Sequence, residues 1–413
     1  MKFKILILFL IANLLILPNL SLVQNNSSLA ASRDRGQANL DNYVEYFYNR
    51  YSQHFDQFGL NYSIPDYGIN NFVEPQKIRE WVSLVSYYKY RAINGDESAQ
   101  NIIRFGILKG YDELLKRGDK SQSFQEAEAH FLTIQILKKI PNLLNEKTRQ
   151  AIYNVMNNYL ENGIKASDTE NRAIIAGAHW QYINNHLFEK RIITLEKKEY
   201  FDNLIKNKID SAISKSINSD YWYMENNLND FSIHYHAISA FMLMIYGELT
   251  NQIRYLNITQ QMYNNLQKIT LNNGQIPVEI GHRPSSLGAQ FYLITGLLGH
   301  YFNDNNYMNY LSLTNNNNFF QDPSYPNRLE FHSKNIFNDD YAFSDIAELG
   351  LIIPKLKNIP LYYKINLPQI EQEFIDNTFH IKNTGERIIF NKNKSRFRSL
   401  DTQNRTSNSK AIN

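Results

Sequence analysis

Ala237-Ile238-Ser239-Ala240-Phe241-Met242-Leu243-Met244-Ile245 carries a single hydroxyl in nine otherwise apolar residues. A helix of that composition has no wet face, so it must be covered on all sides. Residues 173–178 and 287–298 read the same way, whereas 195–217 and 252–269, which lie between these three stretches, are much more polar. The chain therefore alternates helices that are buried all round with helices that cover them.

Working outward, the buried set starts at recognisable N-terminal signals: Pro75 after Glu74, Ser123 with Glu126 three residues later, Asp168 and Thr169, Ser232, Ser285 and Ser286, and Ser344. The second set is predicted near 97–116, 145–162, 195–217, 252–269 and 304–313, with one further helix near 43–57 before the first start. Six helix pairs result, repeating at intervals of roughly 45 to 64 residues. Pairs of this kind cannot bury their own apolar faces and must stack on their neighbours. Because the inner set is apolar on most sides, the expected fold is all-α, an (α/α)6 toroid over residues 40–353, a ring of helical hairpins that is closed or incomplete.

Forty-three Lys and Arg against 40 Asp and Glu leave a formal charge of +3, too even for a chain devoted to neutralising nucleic-acid phosphates. The absence of cysteine removes disulfides, thiolate nucleophiles, cysteine-ligated zinc and iron–sulfur clusters together. Catalysis would have to come from His, a carboxylate, Tyr, Ser or Lys, and the pattern calls for no cofactor.

Lys2 and Lys4 precede an apolar run at 5–17, closed by Pro18 and followed by Ser28, Ala30, Ala31 and Ser32. This reads as a cleavable signal peptide over residues 1–30, because the run is shorter than the about 20 residues a spanning helix needs. A periplasmic or secreted protein without a membrane span, acting as a monomer, is expected. At the other end, Pro354, Pro360 and Pro368 punctuate an irregular extension over 354–391, with a small hairpin expected around Asn383, Thr384 and Gly385. Residues 392–413 carry Lys394, Arg396, Arg398, Arg405 and Lys410 against Asp401, the composition of a solvated, disordered tail.

If the inner helices run parallel, the polar residues at their starts converge at one end of the ring. One cluster is Asp168-Thr169-Glu170-Asn171-Arg172, with His179 and Trp180 further in. A second is Asn229-Asp230-Phe231-Ser232-Ile233-His234-Tyr235-His236, preceded by Tyr221-Trp222-Tyr223. The third is Glu279-Ile280-Gly281-His282-Arg283. Glu126 and His130 belong to a fourth. Helix N-termini carry partial positive charge and free N–H groups, which suits an anionic ligand, and three adjacent aromatics beside such a rim offer a platform for a sugar ring. Asp168, Thr169, Ser232 and Ser285 are expected to act as caps, and His186 and His300 as partners of helix C-termini. His234 and His236 do not suggest a metal site, since residues two apart on a helix point to nearly opposite sides. One of them is expected to face the cavity as a general base or acid while the other packs.

Thr169-Glu170-Asn171-Arg172 opening a small-residue helix, and Asn273-Gly274-Gln275-Ile276-Pro277-Val278-Glu279 followed by His282-Arg283, resemble the alginate lyase and heparinase-type polysaccharide lyases built on an (α/α) toroid. The resemblance spans about residues 75–303. The family's Asn-Asn-His-Ser-Tyr-Trp signature would fall near residues 229–234, with its His displaced, and the Tyr expected seven residues after the Arg is Gln290 here. Tyr235 and Tyr292 are the replacement candidates. The resemblance implies β-elimination on an anionic, uronic-acid-containing polysaccharide. Asn171, Asn229 or Arg283 would hold the C5 carboxylate, His234 or His236 would take the C5 proton, and Tyr235 would protonate the departing O4. Arg172, Tyr221, Trp222, Tyr223, Asp230, Glu279, His282, His179 and Trp180 would contact substrate. Two other classes remain open on the same scaffold. A glycoside hydrolase would use two of Asp230, Glu279, Glu170 and Glu126, and a carbohydrate-binding or export protein would keep only the aromatics.

Overall fold

The structure is a computed structural model that describes residues 39–45, 48, 49, 52, 82, 86–117, 124–166, 170–225, 230–270, 289–313 and 337–359, together with the backbone of 386–391, 396–401 and 410–412. The signal-peptide reading and the expected helix starts at Pro75, Ser123, Asp168–Thr169 and Ser285–Ser286 lie outside these residues. The described part is mostly helical, as the periodicity predicts. Its helices are α1 (Lys89–Ile93), α2 (Glu97–Arg117), α3 (Phe124–Lys139), α4 (Glu146–Ala166), α5 (Glu170–Glu189) and α6 (Leu195–Ser216). After a two-stranded ribbon of β1 (Met224–Glu225) and β2 (Asp230–Phe231) come α7 (Ile233–Thr250), α8 (Ile253–Lys268), α9 (Ala289–Tyr301), α10 (Tyr307–Leu313), α11 (Phe337–Ile352) and α12 (Pro354–Lys357). No described helix is long and apolar enough to cross a membrane.

Local chemistry sets several of these boundaries. Ser232 caps α7, its Oγ accepting from the Tyr235 N–H at 3.4 Å, and Asn251 ends the same helix in the left-handed conformation at φ 54°. Thr194 caps α6 by accepting from the Lys197 N–H at 3.2 Å. Ser344 is different. It lies in the middle of α11, fully buried, and its carbonyl accepts the Tyr48 hydroxyl at 2.9 Å. The helix begins earlier, at Phe337.

The alternation of buried and covering helices is what the packing shows. Helix α3 packs on α5, α5 on α7, α7 on α9 and α9 on α11, and α11 returns to α3. Helices α6, α8 and α10 each lie against the inner helix that precedes them, and α2, α4 and α6 touch in succession on the outside. One apolar core runs through the whole set, from Leu40 to Ile359. On α7, every residue from His236 to Gly247 is buried, which is why its sequence has no polar face.

In two of the hairpins a glycine leaves no room for a side chain between the paired helices. A Cβ at Gly177 on α5 would lie 2.4 Å from Ile209 Cδ1 of α6, and one at Gly296 on α9 would lie 2.5 Å from Leu311 of α10. At the C-terminal end, β3 (Glu386–Asn391), β4 (Arg396–Asp401) and β5 (Lys410–Ile412) form an antiparallel sheet in that order. The expected hairpin turn at Asn383, Thr384 and Gly385 lies outside the described residues, and β3 pairs with β4 from Glu386 opposite Asp401 to Asn391 opposite Arg396.

The glycine contacts lead to opposite expectations for one substitution. Gly177→Ala should lower the unfolding free energy by about 1–3 kcal/mol, since overpacking outweighs the gain in helix propensity. Gly110→Ala on α2, where nothing lies within 4 Å of the added methyl, should raise it by about 0.5–1 kcal/mol. Urea titrations of the two variants would check the signs.

Candidate functional site

The start of α7 gathers most of the described candidates. The chain leaves α6 at Ile217 and makes a tight turn organised by Asn218, whose Oδ1 accepts from the N–H groups of Asp220 at 3.1 Å and Trp222 at 2.8 Å. Tyr221 within it has φ 62° and is 40% exposed. Tyr223 is buried and bridges back to Ile217, after which Met224 and Glu225 pair with Phe231 and Asp230. This ribbon brings Trp222 edge-on to Phe231, with ring centres 5.1 Å apart, and sets Tyr223 6.3 Å from Tyr235.

The two histidines separate as the helix geometry requires. His236 packs. It is fully buried, its Nδ1 accepts the Tyr223 N–H at 3.0 Å, and its Nε2 lies 2.9 Å from the Met262 carbonyl of α8, to which it must donate. Both nitrogens are committed to backbone groups and burial lowers its pKa to about 4, so His236 is not the proton acceptor that it was a candidate to be. His234 is 7% exposed on the opposite side, its ring centre 5.5 Å from that of Tyr235, which is itself only partly buried.

The α5 cluster needs two corrections. His179 is fully buried, its Nδ1 3.0 Å from the Ile175 carbonyl and its Nε2 2.7 Å from Asp345 Oδ1. Burial alone would depress its pKa, but Asp345, Glu128 and the Ile175 carbonyl outweigh it and hold the imidazole above its ordinary value. Trp180 is also fully buried, and its indole N–H donates to the Tyr159 hydroxyl at 3.2 Å. Neither residue can meet a polymer, because both project from the middle of an inner helix into the packed interior. Tyr292, proposed as an alternative proton donor, is buried on α9. Arg172, at the first turn of α5, is exposed. The side chains of Glu170, Asn171 and Asp230, and all of Asn229, Glu279, His282 and Arg283, lie outside the described residues.

The sequence reading missed the burial of a group of ionisable residues. Lys89 of α1 pairs with Glu348 of α11, both about 1% exposed, and the ammonium also lies over the Tyr90 and Tyr48 rings at 4.7 and 5.3 Å. Burial lowers the Lys89 pKa against the opposing pull of Glu348. Glu126 and Glu128 of α3 are buried too, and His130 between α2 and α4 meets the Tyr111 hydroxyl at 2.8 Å through Nδ1, its pKa lowered by burial to about 3. The only warning in the sequence was that α3 carries Glu, Glu and His on a helix otherwise apolar enough to be internal. Among the described residues, no group of three or more His, Cys, Asp or Glu could hold a metal ion.

Comparison with known proteins adds no family: no family model matches the chain, and no curated protein matches it. The resemblance to the toroid lyases therefore stands on its short motifs.

The buried histidines have a consequence for stability. His130 and His236 have native pKa values of about 3 and about 4, below the ordinary 6.5, so the unfolded chain binds their protons first. Their contribution is complete above about pH 6.5 and is lost as pH falls toward the native values. Each should add a slope of about 1.4 kcal/mol per pH unit between about pH 6 and 5, where ordinary carboxylates stay ionised. His179 acts outside this window, its raised pKa making its contribution fall only as pH rises above 6.5. Unfolding free energies measured across pH 5–6 should lose one proton of slope in His130→Gln.

Proposed function

We propose that the protein is a periplasmic or secreted polysaccharide lyase that cleaves a uronic-acid-containing polymer by β-elimination, on an (α/α)6 toroid reached after removal of residues 1–30. The observation that carries the reading is the start of α7, where His234 and Tyr235 stand side by side and Tyr235 meets Tyr223, the last residue of the aromatic turn. The cyclic packing order of α3, α5, α7, α9 and α11 supports the toroid, and the motifs containing Asn171 and Arg283 support the substrate class.

In this scheme an amide or guanidinium donor from Asn171, Asn229 or Arg283 holds the C5 carboxylate, which makes the adjacent C–H acidic by stabilising the enediolate-like charge. His234 takes the C5 proton, since His236 has no nitrogen left for the task. The electron pair forms a C4=C5 double bond, the C4–O4 bond breaks, and Tyr235 supplies the proton that O4 acquires.

Incubation with alginate, other uronic polymers and neutral glucans, read by the ultraviolet absorbance of the unsaturated uronate, tests the scheme. Absorbance should grow with a uronic polymer only, and His234→Ala and Tyr235→Phe should each lower the rate about 10²-fold or more. Reducing ends without unsaturated absorbance would sink the elimination and favour the hydrolase class.

A further inference from the structure

Tyr221 combines two features that rarely coexist. Its φ of 62° is costly for a bulky residue, about 1 kcal/mol or more, and its 40% exposure means that burial does not offset the cost. The turn is nonetheless held at both ends. On the entry side, the Asn218 N–H donates to the Trp222 carbonyl at 3.1 Å, and the Tyr221 N–H donates to the Asn218 carbonyl at 3.0 Å. The Asp220 carbonyl is gripped from α8 by Asn265 Nδ2 at 2.6 Å. On the exit side, the Tyr223 N–H ends on His236 Nδ1. The other nitrogen of that imidazole reaches the Met262 carbonyl, one turn of α8 before Asn265.

His236 is thus a neutral two-ended connector between the aromatic turn, α7 and α8. Its ring also underlies Trp222, with centres 4.9 Å apart, and Phe231 closes a second side of the indole at 5.1 Å. The indole is fixed on two sides and still partly exposed. A strained, doubly anchored turn that displays two adjacent aromatics has the form of a preorganised ligand surface, in which ordering costs are met before the ligand arrives.

We propose that Tyr221 and Trp222 form a stacking subsite for a pyranose ring of the substrate chain, and that His236 and Asn265 are the positioning residues that hold it. The assignment rests on the reading of the α7 start as a polysaccharide site, and it gives His236 a part in binding, with proton transfer left to His234.

The test uses full-length protein titrated with alginate oligosaccharides and, separately, with cello-oligosaccharides, following tryptophan fluorescence, with Trp222→Phe identifying the Trp222 signal. Oligosaccharide should quench the Trp222 signal. Trp222→Ala and His236→Phe should weaken Kd about tenfold or more, and where turnover occurs His236→Phe should raise KM by that factor while kcat falls less than about threefold. His236→Asn, which keeps an acceptor for the Tyr223 N–H, should recover most of the affinity and guards against a variant that fails to fold. A kcat that collapses at unchanged KM in folded His236→Asn would overturn the positioning role. No change in Trp222 fluorescence with either saccharide series would overturn the subsite, whatever the elimination assay shows. Quenching by cello-oligosaccharides, with no unsaturated product from any polymer, would uphold the subsite while removing the lyase reading.

Discussion

Helix α11 cannot dock alone. Asp345 and Glu348 stand three residues apart on it, both about 1% exposed, and taking an unpaired carboxylate out of water costs several kcal/mol even after relaxation. Each finds its partner on a different helix, Asp345 on His179 of α5 and Glu348 on Lys89 of α1. Helix α3 packs against both α5 and α11 and adds Glu128 to the charges acting on His179. Helices α1, α5 and α11 are therefore tied by charge as well as by apolar contact. Apolar contact supplies most of the driving force here, as in any core of this size, but it is indifferent to which helix meets which. The ion pairs are not.

This arrangement also limits where chemistry can occur. His179 and Trp180 are spent in the interior, which is packed protein at their level. Among the described candidates, Tyr221, Trp222 and Tyr235 keep solvent contact around the start of α7, where the helix emerges from the ribbon that follows α6. There the local structure is set by short polar side chains, Asn218 in the turn and Ser232 at the cap, while His236 joins the turn to two helices at once. Rigidity of this kind suits a surface that must present aromatic rings in one orientation.

The sequence disclosed the helices well because their burial is uniform along their length. The apolar circumference of residues 237–245 and the polar face of 253–268 can each be read from local spacing. It disclosed that His234 and His236 must diverge, since two residues on a helix turn about 200°, but not which of them faced inward. That was decided by the Met262 carbonyl on the following helix. The start of α11 was misplaced because Ser344 has the chemistry of a cap and only its neighbours reveal that it is internal. The buried charges were the least legible. Lys89 and Glu348 are separated by 259 residues and His179 and Asp345 by 166, and nothing local marks an acid as internal when its partner lies that far along the chain. Glu126 and His130 were noticed as polar groups near a helix start, where exposure was the natural reading, and both are fully buried.

Paired charges, and not apolar contact alone, bring α11 home. A double-mutant cycle on Lys89→Met and Glu348→Leu tests this most directly, with unfolding free energy measured for both single variants and the double variant. Each single change leaves one charge buried without its partner and should cost about 3–5 kcal/mol. The double change should cost much less than their sum, giving a coupling of about 2 kcal/mol or more, larger than that of an exposed pair. Single losses below about 1 kcal/mol that simply add would contradict the claim, because the pair would then be behaving as an ordinary surface contact.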